Sequence, residues 1–251
     1  MIEERIVTQA IIKEYFKSLL EIIPSDVVIA GAGPSGLVAS YYLARGGLKV
    51  ALFERELKLG GGMPGGGMLF NRIVVQKEAK EILEHFQIRI DEFESGYYTA
   101  SALESTAAIT HNAIQAGAHI FNNMTVEDLK VVDDKVCGVV INWTPVERAA
   151  LHVDPLTVDS RFVIDATGHP ALVVRRLESK IRQEICKGEG PMWADKGEQL
   201  IVENTKEVYP NLYVCGMAVN AVFGGPRMGP IFGAMLLSGK KVADLLLSKI
   251  W

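Results

Sequence analysis

Three short stretches carry the side chains most capable of chemistry. Ala150-Leu151-His152-Val153-Asp154-Pro155 sets an imidazole two residues before a carboxylate, and Thr167-Gly168-His169-Pro170 ends an apolar run on another imidazole. Phe223-Gly224-Gly225-Pro226-Arg227-Met228-Gly229-Pro230 holds one guanidinium in a glycine- and proline-rich loop. Imidazole and carboxylate serve as general bases and as ligands for first-row metals, while a guanidinium forks onto carboxylates or phosphates. Each group also has a plainer reading. His152 between Leu151 and Val153 suits a half-buried packing position, Asp154 caps a turn ahead of Pro155, His169 closes a strand end, and Arg227 is a solvated cation. His85, His111 and His119 fall on expected helices or a strand start and read as surface or packing residues.

A fourth stretch is more specific. Gly31-Ala32-Gly33-Pro34-Ser35-Gly36 is a GxGxxG turn between an expected strand at Asp26–Ala30 and an expected helix at Leu37–Arg45, and a second strand, Lys49–Phe53, ends at Glu54, 18 residues after the last glycine. In such a βαβ unit the first glycine permits the turn, the second lets backbone approach a pyrophosphate, and the third packs helix on sheet. Glu54 is placed to accept hydrogen bonds from ribose hydroxyls. The pattern predicts an adenine dinucleotide and leaves open which one. The tract Gly60-Gly61-Gly62-Met63-Pro64-Gly65-Gly66-Gly67 is either a flexible loop or a way to crowd backbone amides around phosphates or a small substrate.

The elements that must position these groups follow from periodicity. An amphipathic helix is expected at 3–23, helices at 77–90 and 100–116, a strand meander over 119–143 with a turn at Asp133-Asp134-Lys135, strands at Arg161–Ala166 and Leu212–Cys215, and a closing helix at Gly229–Lys249 with proline at its start. The 251 residues, 49% hydrophobic, contain no linker or repeat, so one domain over 1–251 is expected. Net charge is −4 with no basic block, which argues against nucleic acid and anionic membranes as partners and for a small ligand. Cys137, Cys186 and Cys215 form no CxxC, which fits a reducing compartment rather than a disulfide framework, zinc ribbon or dithiol enzyme. Val27 to Ala44 is uncharged, but Gly31, Gly33, Pro34 and Gly36 would break a lipid-facing helix, and a cytoplasmic location is expected.

The βαβ unit, the meander, the strand end Asp165-Ala166-Thr167-Gly168 and the glycine-rich start of the last helix together resemble the glutathione-reductase-like fold, an α/β dinucleotide-binding fold of Rossmann type with a β-meander insert. Most such proteins hold FAD and carry an aspartate that accepts from the ribityl chain. The matching position here reads Cys215-Gly216-Met217-Ala218, and a thioether is a weak acceptor. An FAD-dependent oxidoreductase is therefore the alternative reading.

The tract Gly60 to Phe70, the loop Phe223 to Pro230, the His152–Asp154 stretch and Thr167-Gly168-His169 resemble, end to end, the thiamine thiazole synthase family. The resemblance implies that NAD is a substrate: nicotinamide is expelled, the ADP-ribose is isomerised and condensed with glycine, sulfur is added, and loss of water closes an adenylated carboxythiazole. Fungal and plant members carry a cysteine where this chain has His152 and give up its sulfur once per polypeptide. The archaeal branch uses free sulfide delivered through Fe(II) and turns over, and His152 matches that branch. By the same resemblance Asp154 and His169 are iron ligands, and Arg227 holds the glycine carboxylate. Gly31, Gly33, Ser35, Gly36, Glu54, Arg55, Gly62, Val126 and His152 fall at NAD positions, with Met217 near the substrate end. A homo-octamer with sites shared between protomers is also implied.

Overall fold

The computed structural model describes residues 1–250. A helix, α1 (Glu4–Glu21), precedes β1 (Ser25–Ala30), α2 (Pro34–Arg45) and β2 (Val50–Glu54). Then come β3 (Arg72–Gln76), α3 (Lys77–His85), β4 (Ile90–Glu94), β5 (Tyr97–Ser101), α4 (Ala102–Gln115), β6 (His119–Asn122), β7 (Met124–Val132), β8 (Lys135–Trp143), α5 (Thr144–Arg148) and β9 (Leu156–Asp165). The chain closes with α6 (Leu172–Ile181), α7 (Ala194–Asn204), β10 (Lys206–Tyr209), β11 (Leu212–Val214), α8 (Met217–Phe223) and α9 (Gly233–Ile250).

Strand β1 is apolar on both faces because it divides two cores. Val27 and Ile29 enter the core that contains α2 and α9, while Val28 and Ala30 enter the core beneath the meander. Strand β2 repeats the alternation, with Val50 and Leu52 on one side and Ala51 and Phe53 on the other. A two-sided burial of this kind belongs to a parallel sheet covered on both faces. The sheet runs β11-β9-β1-β2-β6 in parallel, with β10 antiparallel at one edge, and β7, β8 and β9 form the meander. Five carboxyl ends therefore point the same way. The expected α/β, glutathione-reductase-like architecture is the observed one.

Several boundaries differ from expectation for local reasons. The helix expected over 77–90 stops at His85, since Gln87 takes φ +57°, and β4 follows as part of a small antiparallel sheet, β3-β5-β4, that periodicity did not reveal. The expected meander over 119–143 is two things. Residues His119–Asn122 pair with β2 in parallel, and Asn123, at φ +59°, turns the chain into β7. The third meander strand is β9, which begins at Leu156 rather than Arg161. The closing helix starts at Gly233 rather than Gly229, because the Phe232 amide donates to the Val74 carbonyl at 2.9 Å and Ile231 bridges to β3. Helix α1 lies where expected, yet Ile6, Ile11, Phe16 and Leu20 are exposed and only Tyr15 and Leu19 pack on the core. Cys137 lies in β8, whereas Cys186 and Cys215 lie in irregular segments; all three are free. Among the described residues no helix is long and apolar enough to cross a membrane.

Candidate nucleotide and substrate site

A cavity of about 790 Å³ opens at the carboxyl ends of the parallel strands, and each strand supplies the turn that follows it. Gly31 and Gly33 come from β1, Glu54 to Glu56 from β2, Met124 to Val126 from the step between β6 and β7, Thr167 to Pro170 from β9, and Met217 from β11. Ligands of open parallel sheets bind in this crevice because the helix N-termini and the variable turns converge there.

The turn glycines divide the work. Gly31 has φ +101°, and a Cβ there would sit 2.5 Å from the Ala166 carbonyl oxygen, so the turn can approach β9 only without a side chain. A Cβ on Gly36 would lie 2.0 Å from the Gly31 oxygen; Gly36 packs α2 onto the turn and does not line the cavity. Gly33 lines the cavity, and a Cβ there would meet nothing within 4 Å. That is the open side where a phosphate can approach backbone. Glu54 is buried and already fixed: its two carboxylate oxygens accept from the Ala32 and Glu56 amides, each at 2.8 Å, leaving further lone pairs for a ribose. Arg55 is exposed and shares Glu56, at 3.7 Å, with Arg148, whose hydrogen bond at 2.6 Å holds the Glu56 carboxyl below its ordinary value. Ser35, Gly62 and Val126 also line the cavity.

A further part of the cavity wall holds His169, Arg227 and Met217. Asp165, which composition and motif left unremarked as a functional group, builds this wall. It is fully buried and accepts from the Thr167 amide at 2.9 Å, the Thr167 hydroxyl at 2.7 Å and the Val174 amide at 3.0 Å, which fixes the turn carrying His169. Burial pushes its carboxyl up while these hydrogen bonds pull it down. His169 Nδ1 lies 2.8 and 2.9 Å from the two oxygens of Glu189, another residue no motif signalled. Arg227 is exposed and forms no ion pair among the described residues. Seven of the eight methionines, all but Met1, line the cavity. Flexible thioether side chains repack easily around a ligand.

His152 and Asp154 are elsewhere. They lie on the exposed segment between α5 and β9 and line no part of the cavity. Among the described residues no three His, Cys, Asp or Glu side chains gather to hold a metal within one chain. One chain thus assembles the nucleotide turn, His169, Arg227 and Met217, and leaves the other two outward.

Glu198 is a second buried carboxyl that the sequence did not flag. One oxygen accepts from the Ala234 amide in the first turn of α9 at 2.8 Å, the other has no partner, and burial raises its pKa from the ordinary 4.5 to about 7. The folded chain therefore holds this proton more tightly than the unfolded one. That contribution is full below about pH 4.5 and is lost as pH rises through about 7. Glu198→Gln keeps the acceptor without the charge. From pH 5 to pH 8 the wild type is expected to lose about 2 kcal/mol of stability relative to this variant, by urea unfolding at both pH values; parallel curves would contradict the assignment.

The strand order, the meander and the cavity at the carboxyl ends define a protein with a Rossmann-type fold of the glutathione-reductase-like class. Comparison with known proteins narrows this. The profile of the Thi4 family matches residues 8–232. The chain is 58% identical to the thiamine thiazole synthase of Pyrococcus furiosus over 250 residues, covering 100% of this chain and 99% of that protein. It is 54% identical to the thiamine thiazole synthase of Methanothermobacter thermautotrophicus, covering 97% of each. The crystal structure of Thermovibrio ammonificans THI4 superposes with a TM-score of 0.98 at 48% identity, over 100% of this chain and 99% of that one. The chain belongs to the Thi4 family.

Proposed function

We propose that this protein synthesises the adenylated carboxythiazole precursor of thiamine from NAD, glycine and sulfide with Fe(II). The full-length similarity to named thiamine thiazole synthases carries the thiazole chemistry, and one observation carries the choice of sulfur source: position 152 is histidine, which has no sulfur to give. Two of the three thiols are buried and are poor donors. Burial pushes Cys186 up to about 11 and Cys215 up to about 12, so neither is a thiolate at neutral pH.

The glycine turn and the start of α2 hold the pyrophosphate, Glu54 the ribose, and Met217 the substrate end of the cavity. Methionine at position 217 is a weak acceptor where flavoproteins of this fold carry an aspartate for the ribityl chain, which weighs against the FAD-dependent oxidoreductase. His169, with Glu189 behind it, suits one ligand position for ferrous iron, and vacant positions on such an ion admit sulfide and substrate together. Asp154 and His152, outward on their own chain, are read as completing the site of a neighbouring protomer in an octamer. The nicotinamide leaves with the electron pair of its bond to ribose and carries no hydride.

Anaerobic incubation with NAD, glycine, Fe(II) and sulfide is expected to yield the adenylated carboxythiazole and free nicotinamide, several per chain, with the protein mass unchanged. NADH formed in step with product, a flavin spectrum, or loss of one sulfur and two hydrogens from the polypeptide would overturn the reading. Arg227→Lys is expected to raise the KM for glycine by about 10- to 100-fold with little change in NAD binding, because a point charge keeps one of two parallel hydrogen bonds to a carboxylate. Equal losses for both ligands would move Arg227 away from the glycine.

A further inference from the structure

We propose that Glu189 is the positioning residue for His169: by accepting a hydrogen bond from Nδ1–H it fixes the imidazole as the tautomer whose Nε2 lone pair is free for a ligand in the cavity. The inference rests on the reading of His169 as an iron ligand and adds the group that aims it.

The geometry is two-pronged. Both Glu189 oxygens lie within 2.9 Å of Nδ1, and among the described residues His169 has no other protein hydrogen-bond partner. Glu189 is the better shielded of the two, with 13% of its side chain exposed against 51% for His169, and His169 lines the cavity while Glu189 does not, so the carboxylate sits behind the ring. A neutral imidazole has one N–H and one lone pair, and a carboxylate accepts only; the proton therefore resides on Nδ1. No other cation pairs with Glu189 among the described residues.

Glu189 can hold this orientation because its irregular segment is fixed by backbone rather than by secondary structure. The Lys187 and Gly188 amides donate to the Val222 and Ala221 carbonyls of α8 at 3.1 and 2.9 Å. On the other side Gly190 donates to the Gly225 carbonyl at 3.0 Å and accepts from the Arg227 amide at 3.3 Å. The residue behind His169 is thus stitched directly to the loop carrying Arg227. On the proposed reading the iron end and the glycine end of the cavity share one strut, and Asp165 fixes the other side of the His169 turn. Carboxylates placed behind ligating histidines in this way orient the ring and raise its basicity, and their loss weakens metal binding by about 10- to 100-fold.

The test uses the full chain with 15N-labelled histidine rings and Co(II) as the metal probe. Ring nitrogen shifts of the metal-free protein above neutral pH, with His169→Ala identifying the signal among the five histidines, are expected to show the Nδ1–H form in the wild type. Glu189→Ala should move it to the Nε2–H form, and Glu189→Gln, whose carbonyl still accepts, should largely restore it. Co(II) affinity should fall about 10- to 100-fold in Glu189→Ala and less in Glu189→Gln. An unchanged tautomer in Glu189→Ala overturns the proposal. So does loss of Co(II) binding as complete as in His169→Ala with the tautomer unchanged, which would make Glu189 a ligand itself. Co(II) binding untouched by His169→Ala would instead defeat the iron-ligand reading, while the tautomer would still decide the role of Glu189.

Discussion

Gly33→Ala is expected to abolish measurable NAD binding and leave the fold intact, whereas Gly36→Ala is expected to damage both. The two positions lie three residues apart in one turn and differ in what a methyl group would meet. At Gly33 the backbone is extended, with φ −72° and ψ 178°, and the added Cβ has no protein atom within 4 Å. The only loser is a ligand that needs the backbone itself, and a methyl group between amide and pyrophosphate removes that contact. At Gly36 the Cβ would stand 2.0 Å from a backbone oxygen of Gly31. Helix α2 must then move away from the turn, with a cost of about 1–3 kcal/mol that lowers Tm by about 2–4 °C for each kcal/mol. Thermal unfolding with and without NAD reads both variants. A Gly33→Ala protein that NAD still stabilises like the wild type would show that the pyrophosphate lies elsewhere.

What the sequence made visible and what it hid divide along this distinction between local and long-range constraint. The glycine turn is legible because each glycine answers a demand within a single βαβ unit, and Val27 to Ala30 announce burial on two faces by being apolar at every position. Asn123 shows the opposite case: one left-handed residue separates a strand of the parallel sheet from the first strand of the meander, and periodicity alone merges them. The small sheet was hidden because β3 and β5 pair across the intervening α3 and β4, so no hairpin turn marks the Ile73–Ala100 register. His169 and Arg227 stood out by chemistry within short motifs. Glu189 could not, since its link to His169 spans 20 residues and depends on an irregular segment held by amides of α8 and the glycine loop. Asp165 was visible only as part of a strand end; its three hydrogen bonds to the turn beyond it are a property of the folded chain.

The placement of Asp154 outside the cavity that contains His169 leads to the second large effect. Asp154→Ala and His169→Ala should each abolish sulfur incorporation while leaving NAD binding in place, because the glycine turn is a separate part of the site. Co-expressed with different tags and isolated as mixed assemblies, the two inactive variants should regain activity. Where a site takes His169 from one subunit and Asp154 from another, a subunit lacking Asp154 can supply the histidine and one lacking His169 can supply the carboxylate. Random mixing of equal amounts then leaves about a quarter of the sites with both ligands intact. Where both ligands come from one chain, every chain lacks one of them and no site is repaired. Recovery near a quarter of wild-type thiazole formation therefore identifies a site built across subunits, in keeping with the exposed segment that carries His152 and Asp154. Mixed assemblies as inactive as either parent would return both ligands to a single chain, and would require the segment between α5 and β9 to fold inward over the cavity when substrate binds.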